Sequence, residues 1–452
     1  MDAAASPEFE HGAGWYAATV AARRRWPMLT VDLDADVCVI GGGLAGLTTA
    51  LELGRRGRSV VLVEARRVAW GASGRNTGFV VPGFSQHIKS VVERCGLHQT
   101  KELWTLSEDG VTYIRNLIAE TGMPGVDPVD GWLDVSKVDR GDELVDFVTL
   151  LGQEFGAEVE GWPTEKVRAV LKSDHYFHAI HFPKAFHIHP LNYALGLAAA
   201  AEAVGVRIFE ETPVISLDPA GVRKRIATPK ARLRANHIVL AGNTDLGDAS
   251  PKLAQTVMPV SGYVAVTQPL GEKLSQAITY RGAVSDTRLV DNHYRIVGGD
   301  RLMWAGGCTA WDAHPSRGAA ALRRSLANVY PQLQPVEFSH VWAGTVGIAV
   351  HRMPQIGEVS PGLWVASAFG EHGINMSAVA GNLIARAIAD GDDLWKLFLP
   401  YDLVWAGGTA GRAVVQARTW WLRKAETLAA GASRRREIRR RKQERAEAAA
   451  EL

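Results

Sequence analysis

Apolar positions along the chain change period in a regular way. Val37-Cys38-Val39-Ile40 is an unbroken apolar run, the pattern of a parallel strand covered on both faces. Leu47, Ala50, Leu51 and Gly54 then recur at i, i+3, i+4 and i+7, one face of a helix. A second short run, Val60 to Val63, completes a strand–helix–strand unit. Residues 87–121 carry a long helical pattern through Val91, Val92, Leu97, Leu103, Leu106, Val111, Ile114 and Leu117. A strand is predicted over 133–138, a helix over 142–156, a helix over 191–205 and strands over 206–209 and 237–243. The stretches 257–267, 294–297, 301–306 and 336–347 read as one mixed sheet. In the last of them Val336, Phe338, His340 and Trp342 alternate with polar or small residues, the period of an antiparallel strand. A strand over 363–367 and a helix over 375–389 complete the pattern.

The junctions of the first unit carry chemistry. Its leading strand ends in Gly41-Gly42-Gly43-Leu44-Ala45-Gly46, a G-x-G-x-x-G match. Gly41 permits the tight turn, Gly43 lets a pyrophosphate approach the backbone, and Gly46 lets helix and strand pack closely. Glu64 ends the second strand, 23 positions after Gly41, the distance at which an acid accepts hydrogen bonds from a ribose. Phosphates are expected at the helix N-terminus, where unpaired N–H groups and the positive dipole end meet negative charge. Glycine-rich turns alone are common; strand, glycines, helix, strand and terminal acid together point to a dinucleotide.

The residues after Glu64 decide between nicotinamide and flavin. Glu64-Ala65-Arg66 and Gly71-Ala72-Ser73-Gly74-Arg75-Asn76 resemble the FAD-dependent amine and amino-acid oxidase family, which includes glycine oxidase, sarcosine oxidase and gamma-glutamylputrescine oxidase. The last of these is nearest in pattern. The resemblance implies that the acid binds the adenosine ribose and that the Ser-Gly-Arg-Asn loop runs under the pyrophosphate toward the flavin ring. Thr77 stands where the family pattern has glycine. Further likeness lies at the histidine–proline junction His189-Pro190, at Val214, whose backbone the family sets against the adenine, and at the glycine turn of Gly242. The third match is Pro354-Gln355-Ile356-Gly357, a strand, then Gly370-Glu371-His372-Gly373-Ile374 opening a helix. In the family that helix start faces the flavin pyrimidine edge and stabilises the reduced ring. Some relatives attach flavin through a cysteine just before this motif; Ala368-Phe369-Gly370-Glu371 holds none, so non-covalent FAD is expected.

The implied fold is α/β: a discontinuous Rossmann-type FAD-binding domain with an inserted α+β substrate domain built on a mixed sheet. Its expected parts are an N-terminal extension (1–30), FAD segments 31–105, 187–248 and 349–400, substrate segments 106–186 and 249–348, an aromatic helical segment (401–433) and a basic tail (434–452). The aromatics Trp15, Tyr16 and Trp26 of the extension are expected to strap it to the body. Trp395, Trp405, Trp420 and Trp421 are expected to serve as packing anchors.

Composition narrows the function. A chain of 452 residues, 47% hydrophobic, can bury several cores, and a net charge of +2 argues against nucleic acid as a partner. The three scattered cysteines fit a reducing compartment. With no basic-then-apolar start and no apolar run of about 18 residues, a cytoplasmic protein is expected. His175, His178, His181, His187 and His189 fit no standard metal spacing and read as strand and loop histidines, so no metal is expected. The tail carries eight Lys/Arg against four Glu, which leaves −2 on the rest of the chain. It reads as a solvated helix, or else as a contact for an anionic surface or partner.

The implied reaction is oxidation of the C–N bond of an amine or amino acid, with hydride passing to flavin, imine hydrolysis, and oxygen as the electron acceptor giving peroxide. His351 and His372 are candidates for tuning substrate protonation. Arg352, ahead of Arg295, is the candidate partner of a substrate carboxylate. A dehydrogenase of the same fold with another acceptor, and a flavin-stabilised scaffold without activity, are the alternatives.

Overall fold

In the computed structural model, residues 11–12, 14–286, 292–311 and 314–450 are described. The first ten residues of the extension and the last two of the tail fall outside them. The apolar run at 37–40 forms the fully buried end of the strand Leu33–Ile40. That strand pairs in parallel with Arg232–Leu240 on one side and Val60–Val63 on the other. Leu363–Ser367 and Arg207–Phe209 extend the parallel set, and Gln355–Ser360 closes one edge antiparallel. The sheet therefore collects strands from three separated stretches of chain. A hairpin, Ser216–Asp218 with Lys224–Ala227, brings it to eight strands.

Strand alternation divides its side chains between two cores. Val37, Val39 and Leu62 join the helices Leu44–Arg55, Pro190–Ala203 and Gly373–Asp390. Cys38, Ile40, Val61 and Val63 point into a second core with Leu233, Ile238 and Leu363. Two of the helices meet closely because one residue lacks a side chain: a Cβ on Gly381 would lie 2.6 Å from Thr48.

A second sheet of nine strands runs in the order Phe338–Ile348, Met258–Thr267, Arg301–Thr309, His293–Val297, Ala283–Ser285, Val129–Val135, Ala179–His187 and Phe79–Val80, with Glu160–Trp162 alongside Ala179–His187. It is mixed: Ala283–Ser285 lies parallel to Val129–Val135, and the other pairs are antiparallel. The α/β class, with a Rossmann-type sheet and a mixed-sheet substrate region, stands as expected. The helical pattern of 87–121 becomes Ile88–Thr121, broken at Gly96, whose φ of 78° is outside the helical range.

The N-terminal strap holds as expected. Tyr16 and Trp26 are buried, and the Trp26 amide donates to Glu210 Oε2 at 3.1 Å. The C-terminal region corrects one expectation, the packing role of its tryptophans. One helix, Gly408–Ala450, runs through Gly431 and across 433/434 without a break. Only the first turn of its tail portion is docked, where Arg168 grips Glu437 with both terminal nitrogens; from Ile438 on the described side chains are exposed, as a solvated helix would have them. Of the four tryptophans expected to anchor packing, Trp395 does so, edge-on to Trp364 at 5.5 Å. Trp405, Trp420 and Trp421 are instead 57–63% exposed. No described helix is long and apolar enough to cross a membrane.

Candidate active site

Gly41 and Gly46 take the backbone roles their spacing predicts. Gly41 has φ +113°, and a Cβ there would lie 2.7 Å from the Ala241 carbonyl on the neighbouring strand. A Cβ on Gly46 would collide with the Gly41 carbonyl. Both therefore set the backbone from behind, and Gly43, Leu44 and Ala45 line a cavity of about 650 Å³. The helix Leu44–Arg55 starts at Gly43 without a side-chain cap, and the Leu44 amide donates to Ser73 Oγ at 3.0 Å. Glu64 accepts from the Gly42 amide at 2.7 Å and from the Arg66 amide at 2.8 Å. Burial pushes its carboxyl up against the pull of those two amides.

The loop after Glu64 forms the next stretch of wall. Ala72, Ser73, Arg75, Asn76 and Thr77 line the cavity. Asn76 braces its own loop, donating to the Ala72 and Ser73 carbonyls and accepting from the Gly78 amide. Gly74 is packed behind, where a Cβ would meet the Ala69 carbonyl. Arg75 stacks on Trp70 at 4.5 Å, its buried Nε has no partner, and no described carboxylate pairs with it. Burial and the nearby Arg66 lower its pKa. Such a cation fits a pyrophosphate. Arg66 lies on Trp70 at 4.0 Å and pairs with Asp245 at 3.1 Å.

Gly370, His372, Gly373 and Ile374 line the same cavity. Gly373–Asp390 also starts without a side-chain cap, and nothing stands within 4 Å of where a Gly373 Cβ would be. Two helix starts on one cavity, neither capped by its own N-cap side chain, suit a long, anionic, electron-rich ligand. Ala65, Val214, Gly242 and Gly357 are not on its wall. Val214 packs beside the second core, Gly242 abuts Leu246, and Gly357 gives way to the Trp395 ring, 2.8 Å from its would-be Cβ.

At this second end the polar groups are held tightly. His372 lies deep against the carbonyls of Val81 and Pro82, and burial brings its pKa down to about 4. Arg352, at a left-handed φ of 59°, reaches Glu371 Oε1 at 3.4 Å and leaves a buried Nε without a partner. Burial raises the Glu371 carboxyl. His351 is not on the wall: its Nδ1 accepts from the Met353 amide and its Nε2 meets the Asp402 carbonyl. Arg295 is also elsewhere, buried among His187, Tyr16 and the Ile188 carbonyl.

Sequence reasoning missed part of this wall. Ser285 and His293 are register partners on adjacent strands, and both line the cavity. Trp132 Nε1 donates to Ser285 Oγ, leaving the serine hydrogen for His293 Nδ1 at 2.9 Å. Burial takes His293 down to about 4 as well. Arg418, from the long C-terminal helix, also lines the cavity and has no ion pair among the described residues. Neither carries a motif; only the strand register and the reach of the last helix bring them in. The five histidines of 175–189 go to separate partners: His178 to Asp139, His181 to Glu160, His187 to Arg295, His175 to Arg434, while His189 caps the helix Pro190–Ala203.

A family model described as FAD dependent oxidoreductase (DAO) matches residues 36–387. The chain belongs to this family. Gamma-glutamylputrescine oxidoreductase of Escherichia coli (strain K12) is 30% identical over 385 residues, covering 84% of this chain and 89% of that one. Probable oxidoreductase OrdL of Haemophilus influenzae is 30% identical over 383 residues, covering 83% and 87%. Among solved structures, glycine oxidase from Geobacillus kaustophilus superposes with a TM-score of 0.67 at 20% identity, covering 82% of this chain and 98% of that one. The cofactor of this FAD-dependent oxidoreductase is non-covalent FAD, and the residues present fit it. Gly43, Leu44 and Ala45 with Arg75 suit the pyrophosphate, and the start of Gly373–Asp390 suits the ring. When bound, FAD supplies the two-electron redox chemistry.

Proposed function

We propose that the chain oxidises the C–N bond of a small amine or amino acid, bound as the neutral amine, with oxygen as the final electron acceptor. The observation that carries this reading is the wall opposite the dinucleotide end, where His372 and His293 lie buried and neutral beside the Arg352–Glu371 pair. Neither imidazole is charged near pH 7, so neither repels an incoming amine; His293, whose Nδ1 takes the serine hydrogen, can only donate through Nε2, while His372 Nδ1 is left without a partner. Arg352 lines the cavity as the partner for a substrate carboxylate, with Arg418 as a second cation of the same cavity. Hydride loss from the carbon next to nitrogen leaves an imine, which water hydrolyses to an aldehyde or keto acid plus amine or ammonia. Oxygen then takes the electron pair and two protons as peroxide. The names of the gamma-glutamylputrescine oxidoreductase and glycine oxidase relatives support the substrate class.

Anaerobic titration of the yellow protein with a panel of amines and amino acids tests the reading. Bleaching of the flavin band by at least one member is expected, followed by recovery on admitting air with oxygen uptake. A flavin that no member bleaches refutes the activity. Bleaching without oxygen uptake assigns a dehydrogenase with another acceptor.

A further inference from the structure

The family match ends at residue 387, and the helix Gly408–Ala450 lies wholly beyond it. One face of that helix is docked. Gln416 accepts from Thr309 and Ala310, Arg423 donates to the Cys308 carbonyl, and Ala430 and Ser433 are buried. The opposite face carries Val414, Trp421 and Leu428 at seven-residue steps, which stay within about 20° of one line per step. They are 67%, 63% and 69% exposed, and Trp420 beside them is 57% exposed. This stripe is therefore not the face by which the helix holds to the body. Trp405 abuts the helix start at Gly408 and is also exposed. Continuing in the same steps, the outer face turns basic at Arg435 and Lys442, within a tail of eight Lys/Arg against four Glu.

We propose that this helix rests its outer face on an anionic lipid bilayer and holds the enzyme at a membrane surface. Charge decides the occupant. A second copy would bring another tail of net charge +4 against the first, whereas an anionic surface attracts it. Exposed tryptophans beside cations suit the headgroup level, where an apolar ring and a polar edge are both satisfied. Lys424 Nζ sits 4.0 Å from the centroid of the Trp420 ring, over its face. With no described helix able to span, the attachment is in-plane and reversible.

Sedimentation of the holoenzyme with sucrose-loaded vesicles tests this. Vesicles one-third phosphatidylglycerol in phosphatidylcholine should bind it, with a blue shift of tryptophan emission. Pure phosphatidylcholine, or raised salt, should weaken binding about tenfold or more. Trp420→Ala with Trp421→Ala, and separately Arg435→Glu with Arg439→Glu, should each lower partitioning about tenfold while flavin content stays at the parent value. No binding to anionic vesicles overturns the proposal, as does a double tryptophan variant that binds like the parent. A dimer in solution that Trp421→Ala dissociates also overturns it and assigns the stripe to a second copy.

Discussion

Each oxygen of Glu64 accepts a main-chain hydrogen, one from Gly42 in the glycine turn and one from Arg66 in the following loop. The side chain therefore shapes the cofactor end before any ribose reaches it. Glu64→Ala removes the acceptor of both amides at once. Hydrogen bonds to a charged partner contribute roughly 1.5–3 kcal/mol, so FAD affinity should fall about ten- to hundredfold. Fluorescence titration of the apoprotein with FAD measures this, and an unchanged dissociation constant would remove Glu64 from cofactor binding. At the other end, Arg352 is tied to Glu371 through one terminal nitrogen and keeps Nε free. Arg352→Lys retains the charge and loses the planar fork. It should raise the substrate concentration needed by about tenfold, more than it lowers the limiting rate of flavin reduction, because a carboxylate is held alike in ground and transition states. Stopped-flow reduction with one active amino acid decides it. A fall in limiting rate alone would move Arg352 into the chemical step, and the same affinity loss in Arg418→Met alone would hand the carboxylate to the C-terminal helix.

Among the elements, the C-terminal helix departs furthest from what periodicity foretold. Glu437 is gripped bidentately by Arg168, with both side chains about nine-tenths buried (12% and 10% exposed). Glu437→Ala leaves that guanidinium, among the described residues, with the Tyr176 and Asp174 carbonyls and the Phe177 ring. A loss of roughly 1.5–3 kcal/mol is expected in urea unfolding, with flavin content unchanged. A loss below about 0.5 kcal/mol would make the contact ordinary surface. The strand–helix–strand unit was legible because a parallel strand buried on both faces reads as an unbroken apolar run, and the glycine positions follow from backbone collisions that only glycine avoids. His293 and Arg418 were not legible. A cavity lining set by the register of Ala283–Ser285 against His293–Val297, or by where a remote helix docks, leaves no local period to read. Tryptophan content was likewise silent on direction: Trp395 faces inward and Trp421 outward, though both stand in segments rich in apolar residues.

At the scale of the whole molecule, the histidines set a pH dependence whose sign comes from proton counting. His175, His189, His293 and His372 all lie at about 4, chiefly through burial, with Arg434 and Lys137 adding at His175 and Arg295 at His189. Between about pH 6.5 and 4 the unfolded chain therefore binds more protons than the native one, and stability rises with pH across that window. Above it the full contribution is present; below it the contribution is progressively lost. Glu64, Glu108, Glu210, Glu371 and Glu426 are raised by burial and pull the other way. Comparing pH 7.5 with pH 6 spans the upper part of the histidine window. The holoprotein should lose roughly 1 kcal/mol per buried histidine over that interval, several in all. Urea unfolding followed by flavin fluorescence at the two pH values measures it. His293→Gln, which keeps a hydrogen-bonding group for Ser285 but cannot titrate, should flatten the slope by about one histidine's share. A parent slope of zero, or one of opposite sign, would mean that these imidazoles are charged in the native protein and that the cavity does not hold His293 and His372 neutral.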